Sequence, residues 1–475
     1  MLPLNLRQIR LPWRLRLWLL PFAVMLAILA CESSSPPPPT LEVQQPTSTP
    51  TQPIPITPTP SMPAEAALNI PADPDLQAML AQVESDRLMV SVGSLVDMHT
   101  RHVLSKTTQI TPGISTARDW LIAQFQDLKN KNPQLPITIW TQAVKYIWNG
   151  FSVASQNVIA TFQGTDIGAG VIVVGAHYDT MSTDYTNGQA YSPGADYNAS
   201  GVAAMLEIAH ILAPQPHRAT ILFVAFTGEE TGRQGSAAFV KQYIQAQDPP
   251  VDVRSMINLD SIGSAVGASG ETDRQTLRLF SAEPNDSSSR QLARQLALVI
   301  KTYVPDIKPI LESAEDRTGR FGDQQSFSTA NTAAVRMIQG IEDVSREHTI
   351  RDTVDTVQAD YLMQTTRAAL ASLVVLADGP QPPSDLALRP VVDDPANLRL
   401  VWTPVEGAVM YLVTLRLATS LSYDQIFTVQ AAPTSELTWT GFGRYATVAI
   451  AAIDSAGHMG PLSPETAIAS LVRQR

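Results

Sequence analysis

The sequence predicts an α/β fold, a mixed sheet with helices on both faces, followed by a small all-β sandwich. Short β-rich runs alternate with segments of helical periodicity between residues 75 and 376, which is typical of a sheet covered by helices. The core runs, such as residues 171–176 and 221–226, are continuously apolar, as expected of strands buried on both faces. After residue 383 the helical pattern ends, and alternating strands with turn signals indicate an antiparallel sandwich.

The elements follow from apolar spacing and capping residues. The periodicity from Asp75 to Met98 predicts one helix, and Ser115 is expected to cap a second helix with Trp120 and Leu121 on one face. Strands are expected over residues 157–162, 171–176, 220–226, 256–259 and 333–338. Further helices are expected over residues 200–212, 236–245, 288–303 and 361–376.

Composition excludes several classes of function. The chain has 475 residues, with 33 Lys and Arg against 44 Asp and Glu, so its formal net charge is −11. No broad basic surface for nucleic-acid phosphates is therefore expected. The single cysteine excludes an intrachain disulfide and a Cys-based zinc cluster. Any metal must be held by His, Asp and Glu.

The N-terminal segment has the pattern of an export signal. An arginine-rich start precedes the mostly apolar residues 17–30, and the only cysteine, Cys31, follows them. Residues 1–31 resemble a bacterial lipoprotein signal, which implies lipidation of Cys31 and anchoring to the outer side of the membrane, in the cell envelope. An uncleaved N-terminal anchor is the alternative. Both interpretations place the rest of the chain outside the cytoplasm.

Composition also divides the remaining chain. Residues 33–63 contain eleven of the 36 prolines, so residues 32–72 are interpreted as a Pro/Thr-rich disordered linker. Residues 73–379 form the predicted α/β domain, and residues 380–475 the sandwich. The sandwich resembles a fibronectin type III domain in the pattern around Trp402 and Tyr411. It is expected to act as a spacer or to contact cell-surface material.

Potential metal ligands follow four of the predicted strands. His177 and Asp179 follow the strand at 171–176, the pair Glu229 and Glu230 follows the strand at 220–226, and Asp260 follows the strand at 256–259. His348 comes after the last strand of the α/β domain. Each residue alone is more often structural, but their joint occurrence at strand ends indicates a ligand site.

These motifs, together with the Gly194–Gly201 turn and the His348-Thr349 pair, resemble metallopeptidase family 28, the co-catalytic zinc aminopeptidases. The resemblance covers about residues 85–378. It implies two zinc ions, one on Glu230 and His348 and the other on His177 and Asp260. It further implies that Asp179 orients His177 and that Glu229 is the general base. The implied substrate is a peptide.

One position departs from the family pattern. The carboxylate that bridges the two metals in the family corresponds here to Tyr197, and Asp196 aligns with the preceding residue. Either Asp196 moves in as the bridge or the bridge is lost. A second departure is Gln324, where relatives commonly carry histidine near the substrate pocket.

Three functions remain open from the sequence. The first is an extracytoplasmic zinc-dependent exopeptidase, an aminopeptidase with altered metal coordination. The second is a catalytically impaired binding protein that uses the same cleft, which the Tyr197 and Gln324 departures favour. The third is an acyltransferase resembling the glutaminyl cyclases, which work with one zinc ion. The absence of a G-x-S-x-G motif disfavours a serine hydrolase.

Overall fold

A computed structural model describes residues 70–431 and 435–471. The predicted signal with Cys31 and all but the end of the predicted linker lie outside the described residues. The described residues belong to one compact unit. None of their helices combines the length and the apolar character needed to cross a membrane.

The helices and strands are numbered here in chain order. The helices are α1 (Pro74–Ala81), α2 (Ser85–Val96), α3 (Gly113–Lys131), α4 (Gly201–Leu212), α5 (Gln234–Phe239), α6 (Ser288–Tyr303), α7 (Gln324–Thr329), α8 (Ala359–Asp378) and α9 (Ile468–Leu471). The strands are β1 (Ile137–Trp148), β2 (Phe151–Phe162), β3 (Val171–His177), β4 (Thr220–Phe226), β5 (Val253–Leu259), β6 (Thr276–Ser281), β7 (Lys308–Leu311), β8 (Ala334–Gln339), β9 (Ala387–Val391), β10 (Asp394–Val401), β11 (Ala408–Arg416), β12 (Gln425–Gln430), β13 (Glu436–Trp439), β14 (Thr447–Asp454) and β15 (Thr466–Ala467).

The main layer is an eight-stranded mixed sheet with the order β1-β2-β4-β3-β5-β8-β6-β7. Its centre, β4-β3-β5-β8, is parallel. The β1–β2 hairpin joins β4 in antiparallel orientation on one side, and β6 pairs antiparallel with β8 on the other. The parallel centre therefore aligns four carboxyl ends at one edge, which positions the site.

Both faces of this sheet are covered, as the sequence predicts. Val174 and Phe223 point into a core formed with α1–α4, α6 and α8. Their neighbours Val173 and Leu222 point to the opposite face, where side chains of α5 and α7 cover them. Successive side chains of a strand alternate between faces, so a continuously apolar strand requires helices on both sides.

Several elements differ from the sequence-based expectation. The helix expected over 75–98 is two helices, because the chain turns between α1 and α2. The helix expected to be capped by Ser115 begins at Gly113. The spacing of apolar residues did not indicate β1, β6, β7 or α7. Strand β1 lies at the sheet edge and is largely half-exposed or exposed, so it lacks the continuous apolar signal of the central strands.

The C-terminal region contains two antiparallel sheets, ordered β13-β10-β9 and β12-β11-β14-β15. Tyr411 on β11 and Ile450 on β14 pack between these sheets with Trp402. The opposite face of the β11–β14 pair carries Leu412 and Ala451, and these side chains belong to the main core of the α/β part. The sandwich is therefore packed against the α/β part through an apolar face, although the sequence suggests a separate module.

Candidate active site

The predicted site residues gather at the sheet edge where the parallel strands end. β3 ends at His177, and Asp179 lies two residues beyond it. The turn after β4 carries Glu229 and Glu230, and Asp260 directly follows β5. Open α/β sheets bind ligands beyond the carboxyl ends of their strands, so these side chains lie where that rule places a site.

His177 and Asp260 form the first pair of candidate ligands. Both side chains are fully buried, and Nε2 of His177 lies 3.6 Å from Oδ1 of Asp260. Two ligands of one tetrahedral zinc ion lie roughly 3.4 Å apart, so the separation resembles that of a metal-binding pair. Burial lowers the pKa of His177, but the carboxylates of Asp179 and Asp260 outweigh this and raise that pKa well above its usual value.

Glu230 and His348 form the second pair. Oε2 of Glu230 lies 2.8 Å from Nε2 of His348. The backbone of His348 has a φ of 59°, in the left-handed region that residues other than glycine rarely adopt outside turns and functional sites. Burial lowers the pKa of His348, and the neighbouring Glu230 carboxylate raises it overall. The loop that carries His348 thus holds its imidazole against the carboxylate of Glu230, which follows β4.

The hydrogen bonding of the four side chains tests whether they suit a metal. Nε2 of His177 and Oε1 of Glu230 are buried without a hydrogen-bond partner. Nε2 of His348 and Oδ1 of Asp260 make no well-formed hydrogen bond either, but each has an ionic contact, with Glu230 at 2.8 Å and with Arg336 at 3.0 Å. Buried polar atoms are normally paired, and imidazole nitrogens and carboxylate oxygens are the atoms that bind zinc. The donor chemistry therefore fits a metal. Within residues 70–431 and 435–471, however, no three His, Cys, Asp or Glu side chains form a group that could hold an ion.

Asp179 positions the turn that carries both glutamates. Its Oδ1 accepts a hydrogen bond from the backbone N–H of Glu229 at 3.1 Å, and its Oδ2 accepts one from Glu230 at 3.2 Å. The same Oδ1 lies 3.7 Å from Nδ1 of His177, which also contacts the backbone carbonyl of Asp179 at 3.2 Å. The carboxylate of Asp179 thus fixes the backbone of Glu229 and Glu230, while the backbone carbonyl of Asp179 is the hydrogen-bonding partner of His177.

Glu229 is a buried acid next to the ligand pairs. Burial raises its pKa well above the usual value; His177 opposes this shift, while the charges of Asp260, Asp323 and Glu230 add to it. Both oxygens of Asp323 are likewise buried without hydrogen-bond partners. A buried acid with a perturbed pKa beside potential metal ligands is a candidate for proton transfer.

Comparison with known proteins assigns the family. The model of peptidase family M28 matches residues 157–373. A probable zinc metalloprotease of Pyricularia oryzae is 34% identical over 378 residues, which cover 72% of this chain and 74% of that protein. The chain belongs to peptidase family M28. A probable zinc metalloprotease of Pyrenophora tritici-repentis is 29% identical to this chain. The match covers 72% of this chain and 87% of the relative.

Solved structures agree with this fold. The LapA aminopeptidase of Legionella pneumophila has a TM-score of 0.51 and 21% identity, over 64% of the M28 chain and 75% of LapA. LapB of the same organism has a TM-score of 0.52 and 18% identity. The match covers 66% of this chain and 77% of LapB. At these identities the likeness supports the fold alone.

Tyr197 takes the place between the ligand pairs. Its ring centroid lies 5.0 Å from that of His177 and 5.5 Å from that of His348. Burial raises the pKa of Tyr197 well above its usual value, and the charges of Glu229 and Glu230 raise it further. The chain therefore places a neutral phenol, rather than a carboxylate, between the two histidines.

Both carboxylate oxygens of Asp196 accept hydrogen bonds. Its Oδ1 accepts from the backbone N–H of Gly263 at 3.0 Å, and its Oδ2 accepts from Nε2 of Gln339 at 2.8 Å. Burial and the nearby Asp352 carboxylate raise the pKa of Asp196 to about 7. A bridging role for Asp196 would have to be compatible with these two bonds.

Arg336 is a site residue that sequence reasoning missed. It lies on β8, fully buried, and its Nη2 is 3.0 Å from Oδ1 of Asp260, the atom that faces His177. Its Nη1 lies 3.2 Å from Oδ2 of Asp316, which in turn accepts a 2.5 Å hydrogen bond from Gln324. Within the part of the chain that the structure describes, Glu230 has no cationic contact other than His348, whereas Asp260 of the other pair already contacts a guanidinium.

Arg101 is a second residue that the sequence analysis missed. Its buried guanidinium donates hydrogen bonds to the carbonyls of Tyr178 at 2.7 Å, Pro193 at 2.6 Å and Gly194 at 2.8 Å, and to that of Leu95 at 3.0 Å. It thereby ties the segment after β3 to the loop that leads to Tyr197. Arg101 is a positioning residue for the site.

We expect Arg101→Met to lower the free energy of unfolding by at least about 3 kcal/mol, because four buried carbonyls lose their donor. Zinc affinity should fall as well, since two site loops lose their common tie. Urea denaturation and zinc titration measure the two effects. Arg290→Met is the matched control, because this buried arginine donates to the carbonyls of Glu312 and Ser313 on another loop. Equal zinc affinity in both variants would contradict the positioning role.

Proposed function

We propose that the chain is a metal-dependent exopeptidase, an aminopeptidase that removes N-terminal residues from peptides. The supporting observation is the buried carboxylic acid of Glu229, held by Asp179 beside metal-ligand atoms that lack hydrogen-bond partners. Family membership supports hydrolysis of a peptide bond, because the M28 relatives are named zinc metalloproteases. The choice of an N-terminal bond follows the sequence motifs, which resemble the co-catalytic zinc aminopeptidases.

Each residue has a defined task in this proposal. Glu230 and His348 hold a zinc ion, which when bound supplies a Lewis acid for the scissile carbonyl. Glu229 takes a proton from the attacking water and gives it to the leaving amine when the C–N bond breaks. Asp179 fixes the turn that carries Glu229 and Glu230, because its carboxylate accepts hydrogen bonds from their backbone N–H groups. Tyr197 packs against His348 and restricts the space around it.

The test uses the full chain purified in detergent and aminoacyl nitroanilides as substrates. After dialysis against a chelator, we expect hydrolysis to stop and to return when zinc is added. Blocking the substrate's amino group by acetylation should abolish turnover. Hydrolysis that survives the chelator, or no hydrolysis at saturating zinc, would refute the proposal.

A second candidate function is peptide binding without hydrolysis. Two observations favour it: Arg336 places a cation beside Asp260, and Tyr197 places a phenol where the family resemblance implies a bridging carboxylate. Under this alternative the zinc-saturated chain binds unlabelled peptides in calorimetry but leaves them intact. Product analysis by mass spectrometry separates the two functions.

We also propose that the chain works in the cell envelope, anchored to the outer side of the membrane by a lipid on Cys31. The support is the arginine-rich start, the apolar run and the solitary cysteine. The C-terminal sandwich, which resembles a fibronectin type III domain in sequence, is proposed to contact cell-surface material. The acidic net charge of −11 gives no support for a nucleic-acid partner.

We expect Cys31→Ala to release the chain from the membrane fraction or to block its maturation, because the lipid acceptor is removed. Fractionation and mobility on denaturing gels measure the outcome, with Cys31→Ser as a second variant that also lacks the thiol. A variant that stays in the membrane and migrates like the wild type would instead indicate an uncleaved anchor.

A further inference from the structure

The guanidinium of Arg336 is buried within the main sheet. A guanidinium on a central strand is unusual, since that strand is otherwise apolar or amide in character. Its charge is met by two buried carboxylates, Asp260 at 3.0 Å and Asp316 at 3.2 Å. Asp316 has a second cation, Arg317, with Nε 3.6 Å from Oδ1. Asp260 has no other cationic partner than Arg336 and the imidazole of His177 among the described side chains.

Two groups meet at one carboxylate oxygen. Oδ1 of Asp260 lies 3.6 Å from Nε2 of His177 and 3.0 Å from Nη2 of Arg336. An ion bound between His177 and Asp260 would have to approach this oxygen beside a guanidinium that stays charged at any ordinary pH. Like charges at such short range repel strongly inside a protein. The guanidinium and a divalent ion therefore exclude one another at this carboxylate.

The charges of this site differ from those that the family resemblance implies. In that arrangement a carboxylate bridges two divalent ions. Here the bridging position is Tyr197, so that carboxylate is absent. The chain instead places the Arg336 guanidinium beside Asp260, so one acid is lost where one internal cation is present.

We infer that Arg336 takes the place of the second metal ion, so that the chain binds a single divalent ion at the Glu230–His348 pair. Asp260 then serves as the counter-ion of Arg336 and not as a metal ligand. His177 remains beside Asp260 as a hydrogen-bonding partner. The inference rests on the proposed metal dependence but is independent of peptide hydrolysis.

The first test compares two conservative variants of the two carboxylates, Asp260→Asn and Glu230→Gln, in the full chain. Equilibrium dialysis followed by elemental analysis gives the number of zinc ions per chain, and calorimetry gives the affinity. We expect one zinc in the wild type and in Asp260→Asn, with affinity changed less than about threefold. Glu230→Gln should weaken zinc binding by about 100-fold or more. Loss of zinc in Asp260→Asn equal to that in Glu230→Gln would overturn the inference.

The second test restores the second site. We expect Tyr197→Asp alone to keep one zinc, because Arg336 still occupies the carboxylate of Asp260. The double variant Tyr197→Asp/Arg336→Met should bind two. The double variant Tyr197→Asp/Arg336→Lys retains the positive charge at residue 336 and should again bind one zinc ion. Circular dichroism checks that each variant is folded. Arg294→Met, which removes a buried arginine paired with Glu465, is the matched control and should keep one zinc.

The outcomes separate this inference from the proposed function. Two zinc ions in the wild type, or in Tyr197→Asp alone, overturn the role of Arg336 even if peptides are hydrolysed. One zinc ion in a chain that hydrolyses nothing supports the role of Arg336 and refutes the peptidase.

Discussion

Replacing Glu229 with glutamine is expected to lower kcat for aminoacyl nitroanilides by about 10²–10⁴-fold, the usual contribution of a positioned acid–base group. Glutamine retains the shape of the side chain but cannot accept the proton of the attacking water. The structure holds Glu229 through its backbone N–H to Asp179, so the substitution leaves this anchor in place. KM should change little. Steady-state kinetics at saturating zinc provide the measurement.

The control for this variant is Glu406→Gln, an exposed glutamate in the C-terminal region, which should behave like the wild type. Zinc content should be equal in all three proteins, since Glu229 is not assigned as a ligand. Equal turnover in Glu229→Gln and wild type would refute the assignment of the base. Loss of zinc together with turnover would instead make Glu229 a ligand.

Deletion of residues 380–475 is expected to prevent stable folding of the α/β part. The face of the β11–β14 pair that carries Leu412 and Ala451 belongs to the main core, so deletion would expose apolar surface. It would also leave the buried Arg294 of α6 without its partner Glu465, which lies 2.7 Å away. Expression of residues 65–379 should therefore give aggregated material, measured by sedimentation and by circular dichroism.

A milder version of the same experiment is Glu465→Gln. This glutamate pairs with Arg294 and also with Arg416 at 2.9 Å, and all three side chains are buried. Breaking a buried ion pair by neutralising one partner costs about 3–5 kcal/mol. Glu436→Gln, whose ion pair with Arg399 is half-exposed and 3.8 Å long, should cost less than about 1 kcal/mol. A monomeric 65–379 fragment that melts like the whole chain would contradict the proposed dependence.

The part of the site that follows the strands can be predicted from the sequence. A continuously apolar run that ends in His177 or Asp260 shows both the buried strand and the polar residue at its end. Parallel neighbours then bring such ends together. Arg336 cannot be found in this way, because one charge within an apolar run does not show which partner it meets. Its partners Asp260 and Asp316 come from another strand and from a loop.

The fold shows the same division. The central strands are predictable because both of their faces are apolar. Edge strands such as β1 and β7 carry mixed patterns, since water covers part of their surface. The packing of the sandwich against the α/β part cannot be predicted from the sequence either. Leu412 and Tyr411 are both apolar, and a run that is apolar on both faces does not say what covers the second face.

The packing of β11 and β14 has a consequence for the order of events during synthesis. The candidate ligands lie between residues 177 and 348, but the core beneath them also contains Leu412, Ile453 and Leu462. Domains that fold during translation do so once their last required segment is available. The ligand residues are therefore expected to reach their final spacing only after residue 462 has been made, which delays the onset of any hydrolysis until then.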